Sequence, residues 1–145
     1  MKAMLVSACL LGCPCKYSGG DNLCPEVLAL QGQFHLVPIC PEQMGGLPTP
    51  RPPAERQGTR VIAKTGTDVT AQYMAGAQAA LSLAQRFSCA GAILKARSPS
   101  CGCGEIYDGS FGGIKIPGNG VTTDLLLSYG IPVYTEETLD MLPTP

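Results

Sequence analysis

Ala90-Gly91-Ala92-Ile93-Leu94-Lys95, running on through Ala96-Arg97 into Ser98-Pro99-Ser100-Cys101-Gly102, is the stretch that decides the fold. A short apolar run bounded by turn residues reads as a fully buried strand, and this one ends in a polar loop that carries a thiol. The same arrangement occurs twice upstream. Met1 to Ala8 is apolar, has no helix cap and meets Cys9-Leu10-Leu11-Gly12, while Phe34-His35-Leu36-Val37-Pro38-Ile39 stops at Cys40. Three apolar strands, each emptying into a cysteine loop, form the organising pattern. Ile131-Pro132-Val133-Tyr134 reads as a fourth strand, its proline placing it at an edge or near a strand start.

Between the strands lie helical signals. Val69, Tyr73, Ala77, Leu81 and Ala84 recur at helical spacing, predicting a helix over Val69 to Phe87 with Asp68 at its start. Val121 to Tyr129 follows the turn Gly118-Asn119-Gly120, and Gly130 stands where a left-handed C-terminal cap belongs. Thr135 suits an N-cap for a last short helix through Met141, with Glu136 and Glu137 in its first turn. A shorter helix is expected over Pro25 to Leu30. Strands alternating with helices indicate an α/β fold: a Rossmann-like single domain over residues 1–145, with a mostly parallel open sheet flanked by helices. Ligands in such sheets bind beyond the carboxyl ends of the strands, so all three cysteine loops would share one edge. Leu47-Pro48-Thr49-Pro50-Arg51-Pro52-Pro53-Ala54-Glu55 is too rich in proline for a helix or central strand and is expected to cross that edge as an ordered lid.

Composition narrows the function classes. The 145 residues are 45% hydrophobic and 14% charged, which suits one domain with a real core. Lys and Arg number 10 against 11 Asp and Glu, for a formal net charge of -1, so no basic excess exists to neutralise a nucleic-acid backbone. The first residues reach cysteine and glycine before a signal-peptide core is completed, and no run approaches membrane-spanning length. The expectation is a soluble cytoplasmic protein. Its eight cysteines are then more at home as metal ligands or nucleophiles than as disulfides. Cys13-Pro14-Cys15 and Cys101-Gly102-Cys103 leave one residue between thiols, unlike the CxxC of a redox motif.

Two segments place proton-handling groups beside thiols. Cys40-Pro41-Glu42 sets a carboxylate two residues beyond a cysteine, and Ser98-Pro99-Ser100-Cys101 offers two hydroxyls. On residue type alone, a solvated loop charge and turn-capping serines are the better explanation of both. Arg51 and Lys95 could hold an anionic substrate, balance a cofactor's charge, or lie at the surface. His35 sits at a strand face or edge rather than at the cysteine end. Gly112-Gly113 and Gly118-Asn119-Gly120 match no phosphate-binding spacing and read as turns.

Val6-Ser7-Ala8-Cys9-Leu10-Leu11-Gly12, Lys16-Tyr17-Ser18-Gly19, Pro38-Ile39-Cys40-Pro41-Glu42, Gly45-Gly46-Leu47-Pro48-Thr49-Pro50-Arg51, Asp68-Val69-Thr70, Leu94-Lys95, Ser98-Pro99-Ser100-Cys101-Gly102, Tyr107-Asp108-Gly109 and Gly120-Val121-Thr122 together resemble the DUF523 family in order and spacing. The likeness covers nearly the whole chain. It implies a [4Fe-4S] cluster held by three cysteines, Cys9, Cys40 and Cys101, with one iron left open. It also implies non-redox desulfuration of a thiolated nucleobase, thiouracil to uracil plus sulfide. Glu42 would handle protons and Ser98 would orient or relay, with Ser7, Ser100 and Arg51 as candidate substrate contacts. The implied partners are the small-molecule base and a cluster-assembly machinery.

The cysteines outside the motif keep other functions open. A fourth ligand, Cys13 or Cys103, would close the coordination shell and make a non-catalytic metal or cluster module. A persulfide shuttled between Cys101 and Cys103 would make a sulfur carrier. Cys13, Cys15 and Cys103 all lie close enough in sequence to proposed ligands to compete for iron, bind zinc or form a disulfide on oxidation, Cys24 matches no motif position, and Cys89 reads as a small buried hydrophobe.

Overall fold

Buried alternation on both faces builds the central sheet, which the computed structural model describes together with the rest of residues 1–145. Strand β1 (Ala3–Ser7) sends Leu5 to one side and Met4 and Val6 to the other, and all three are fully buried. Helix α1 (Pro25–Leu28), extended by a 3-10 turn over Ala29–Gly32, leads into β2 (His35–Ile39). A four-residue helix, α2 (Pro41–Met44), follows Cys40 directly. Strands β3 (Ala54–Gln57) and β4 (Arg60–Ala63) pair as an antiparallel hairpin before the long helix α3 (Thr70–Arg86). Strand β5 (Gly91–Leu94) precedes a second small hairpin, β6 (Glu105–Tyr107) with β7 (Lys115–Pro117). Helix α4 (Val121–Ser128) and strand β8 (Val133–Thr135) complete the fold.

The main sheet runs β2-β1-β5-β8, with every neighbouring pair parallel. Leu5, Ala92 and Leu94 pack on one face against Ala80, Leu81 and Ala84 of α3 and Leu126 of α4. Met4, Val6 and Ile93 pack on the other against Leu10, Val27 and Phe34. Each fully buried Leu, Ile or Val contributes about 1.5–3 kcal/mol, so these two layers supply the bulk of the apolar driving force. The sheet is thus the expected parallel α/β arrangement, covered on both faces.

Register sets where the chain leaves the sheet. Ser7 stands opposite Ile39, Val6 opposite Ile93, and Leu94 opposite Thr135. The residues after Ser7, Ile39 and Leu94 therefore emerge together at the carboxyl edge, beside the point where the chain crosses from one side of β1 to the other. His35 opens β2 at the far edge and is exposed.

Two close backbone approaches seat the edge loops. A Cβ on Gly76 of α3 would collide with the Pro41 carbonyl, so only glycine lets α2 lie directly on α3. A Cβ on Gly120 would likewise collide with the Ser100 carbonyl. That contact lets the Pro99, Ser100 and Gly102 carbonyls accept the N–H groups of Val121, Thr122 and Gly120 at 2.8–2.9 Å. Helix α4 has no side-chain cap; the cysteine loop serves instead.

Two expectations need correction. The last helix from Thr135 to Met141 does not form: Thr135 ends β8 against Leu94, and only a 3-10 turn over Leu139–Met141 follows. The capping signal was real but closes a turn, in which Thr135 Oγ1 accepts from the Glu137 N–H at 3.1 Å and Thr138 Oγ1 accepts from the Thr135 N–H at 2.9 Å. The proline-rich lid ends earlier than its composition suggested, because Ala54 and Glu55 already pair in β3. The long helix and α4 match their expected spans to within a residue, and Gly130 adopts φ 76° after α4.

Candidate active site

Beyond the carboxyl edge lies a cavity of about 560 Å³, and three separate strand ends deliver thiols to it. Ala8–Leu11 winds into one 3-10 turn after β1, closed by left-handed Gly12 at φ 93°, and Cys9 is carried on it. Cys40 occupies the junction of β2 and α2. Cys101 ends the turn after β5, buried to 5% exposure. All three line the cavity, together with Ser7, Glu42, Arg51 and Ser98.

A fourth thiol, Cys15, lines the same cavity at 4% exposure. The loop that carries it folds back over the site through hydrogen bonds from the Asn22 N–H to the Cys9 carbonyl (2.9 Å) and from the Arg51 N–H to the Tyr17 carbonyl (2.8 Å). Cys13, Cys24, Cys89 and Cys103 are not among the lining residues. Cys13 is exposed, and Cys103 points its sulfur at the Val133 carbonyl, 3.7 Å away. No three His, Cys, Asp or Glu side chains converge tightly enough to hold a single metal ion.

Burial dominates the electrostatics of the thiols. It pushes Cys15 up to about 12, with the neighbouring Cys40 and Cys9 adding to the rise. It also pushes Cys101 up to about 12; the Ser7 hydroxyl pulls back, while Glu42 and Cys9 push the same way as burial. Cys9 is raised by burial too, partly offset by the Asn22 side chain. Burial thus favours the thiol over the thiolate at Cys9, Cys15 and Cys101.

The hydroxyls have defined jobs. Ser98 Oγ accepts the N–H groups of Ser100 (3.1 Å) and Cys101 (3.0 Å), and Ser98 lines the cavity. A serine oxygen has two acceptor sites and one proton, so the remaining capacity of Ser98 is to donate. Ser7 Oγ accepts the Lys95 N–H at 3.0 Å, which ties the end of β1 to the end of β5. Ser100 is not brought to the cavity: it is fully buried, its oxygen 2.8 Å from Thr122 Oγ1 in α4.

Two ion pairs flank the thiols. Glu42 Oε1 accepts from Arg51 Nε at 2.9 Å, with the arginine side chain at 4% exposure. Tyr73, carried on α3, also interacts with Glu42; burial and then that carboxylate hold its hydroxyl far above the ordinary value. Lys95 Nζ pairs with Glu136 Oε2 at 2.8 Å, while Glu136 Oε1 accepts the Ala96 N–H at 2.8 Å. Arg97 is spent on Glu137 through bonds of 2.7 and 2.8 Å. Of the cationic side chains lining the cavity, Arg51, Lys95 and Arg97 are ion-paired, and Lys16 is not.

Tyr73, Asn22 and Glu136 are site residues that sequence reasoning did not single out. Tyr73 gave one signal, since a hydroxyl on the buried stripe of a helix needs a polar partner. Glu136 gave none, because it was assigned to a helix that does not form.

Comparison with known proteins shows what the chain as a whole is similar to. The family model described as 2-thiouracil desulfurase matches residues 4–138. A protein of Bacillus subtilis (strain 168), described as uncharacterized protein YbbK, is 40% identical over 147 residues, covering 94% of this chain and 97% of its own. A solved structure described as the [4Fe-4S]-dependent thiouracil desulfidase TudS (DUF523Vcz) superposes with a TM-score of 0.91 at 45% identity. It covers 98% of this chain and 95% of that one.

Proposed function

This chain belongs to the 2-thiouracil desulfurase family, and we propose that it hydrolyses the carbon–sulfur double bond of a thiolated uracil with a [4Fe-4S] cluster held by Cys9, Cys40 and Cys101 alone. The observation that carries the reading is the convergence of those three thiols with Glu42 and Ser98 on one cavity, from loops far apart in sequence. The donor set fits the cofactor. Thiols crowded into a buried space resist ionising by themselves, and a cationic metal core is what deprotonates such groups outright.

Cys9, Cys40 and Cys101 would hold the cluster, and it would supply Lewis-acid activation of the carbon–sulfur bond. The reaction is C=S plus water giving C=O plus hydrogen sulfide, with no change in electron count. Glu42, fixed through Oε1 by Arg51, takes the proton of the attacking water on its carboxylate. Ser98, its acceptor sites already filled, donates its hydroxyl proton as a hydrogen bond toward the developing negative charge. Ser7 holds the β1 and β5 ends in register beneath the thiols. Ser100 supports the same loop from within, through Thr122, rather than contacting substrate.

A shell closed by Cys13 or Cys103 is disfavoured because neither lines the cavity, which leaves Cys15 as the one other thiol placed to close it, and the separation of Cys103 from the cavity weighs against persulfide transfer between Cys101 and Cys103. No helix is long and apolar enough to cross a membrane. A cytoplasmic enzyme acting on a small base and loaded by a cluster-assembly system is the matching cellular picture. The test is anaerobic incubation of loaded protein with 2-thiouracil, following uracil and sulfide together. Equal release of both supports the reading, and a loaded protein that releases neither from any thiolated uracil refutes it.

A further inference from the structure

Arg51 stands in the cavity wall where an anionic substrate would be met, yet its guanidinium is almost wholly committed to the protein. Nε donates to Glu42 Oε1 at 2.9 Å and Nη2 to the Cys15 carbonyl at 2.9 Å. Nη1 donates to Thr49 Oγ1 at 2.9 Å and to the Pro48 carbonyl at 3.3 Å. A guanidinium has five N–H groups, so these bonds leave little to offer a ligand. Its own backbone N–H adds a bond of 2.8 Å to Tyr17.

We propose that Arg51 is a positioning residue: its one planar group ties the proline-rich lid to the Cys15 loop and fixes the Glu42 carboxylate against the reacting carbon. The assignment replaces the expectation that Arg51 touches substrate, and it rests on the role of Glu42 given above. Three chain segments meet at this side chain, α2 through Glu42, the lid through Pro48 and Thr49, and the first cysteine loop through Cys15. A lysine ammonium is a point charge and lacks the rigid fork that spans all three. Burying a charged pair gains little net stability, so its worth here is geometric. Displacing a reacting group by about 1 Å costs on the order of 10²-fold in rate.

The experiment compares wild type, Arg51→Lys and Arg51→Gly. Both variants should keep the iron per chain and visible spectrum of wild type, while kcat falls about 10²-fold and KM changes little. Added guanidinium ion should restore part of the kcat of Arg51→Gly, where sodium chloride of equal ionic strength does not. A second readout needs no turnover. In cluster-free protein, amide hydrogen exchange across residues 47–54 should quicken about tenfold or more in both variants. A raised KM with kcat kept would make Arg51 a substrate contact and overturn the proposal, as would unchanged kcat and exchange. Should Arg51→Gly fail to fold, Arg51→Lys carries the same test with the charge preserved. If wild type fails to desulfurate, the functional reading falls, and the exchange measurement still decides whether Arg51 clamps the lid.

Discussion

Cys13 and Cys15 are two residues apart, as are Cys101 and Cys103, yet one member of each pair lines the cavity and the other does not. Cys15 and Cys101 are buried, whereas Cys13 is exposed and Cys103 turns toward Val133. Spacing along the chain therefore says little about which thiols act together. Position relative to the sheet edge says more, because Cys9, Cys40 and Cys101 each follow a strand whose register ends at the same level.

The comparison can be broken most sharply at the thiols themselves. Changing Cys9, Cys40 or Cys101 singly to Ser should remove most of the iron and bring activity to background, while the same change at Cys13 or Cys103 leaves iron per chain unaltered. Iron quantification on anaerobically purified variants checks this, and an iron-free Cys103 variant would revive the closed shell. Next in size, Glu42→Gln should lower kcat by about 10²–10⁴-fold with cluster absorbance intact, since it removes a proton acceptor and no thiol.

The thiol environments can also be read in the cluster-free protein by alkylation and mass spectrometry. A group pushed up to about 12 is roughly one part in 10⁴ thiolate at pH 8, so Cys15 and Cys101 should react about 10³-fold more slowly than an ordinary exposed cysteine. Raising the pH toward 11 should narrow that gap. The sign for stability is fixed as well: the folded state holds these protons more tightly than the unfolded one, so cluster-free protein should lose stability as pH climbs from about 8.5 toward 12. Uniform alkylation rates at pH 8 would contradict the burial of the site. The smallest effect is at Cys103→Ala, expected to cost only about 1 kcal/mol in denaturant unfolding, as for a half-buried packing residue.

Much of this arrangement was legible beforehand because parallel strands advertise themselves. Continuous apolar runs such as Met4-Leu5-Val6 and Ala92-Ile93-Leu94 are what burial on both faces requires, and their ends fix the edge where ligands gather. The helix over Thr70–Arg86 was equally plain from its spacing. What stayed hidden were contacts made by single polar side chains across the fold. Nothing local in Arg51 distinguishes a substrate anchor from a clamp; its bonds to Cys15, Thr49 and Glu42 exist only once three loops meet. The contact of Ser100 was hidden for the same reason, since its partner Thr122 lies 22 residues away in a helix that packs on its loop. The β3–β4 and β6–β7 hairpins escaped notice because their strands are only three or four residues long, and β7 is wholly exposed.

The central claim is that three cysteines, and not four, hold the cluster. Mössbauer spectroscopy of protein loaded with iron-57, recorded with and without 2-thiouracil, tests it most directly. One of four irons lacking a protein thiolate should shift on addition of the base, altering about a quarter of the signal. Identical spectra, with every iron in a thiolate-like environment throughout, would contradict the account.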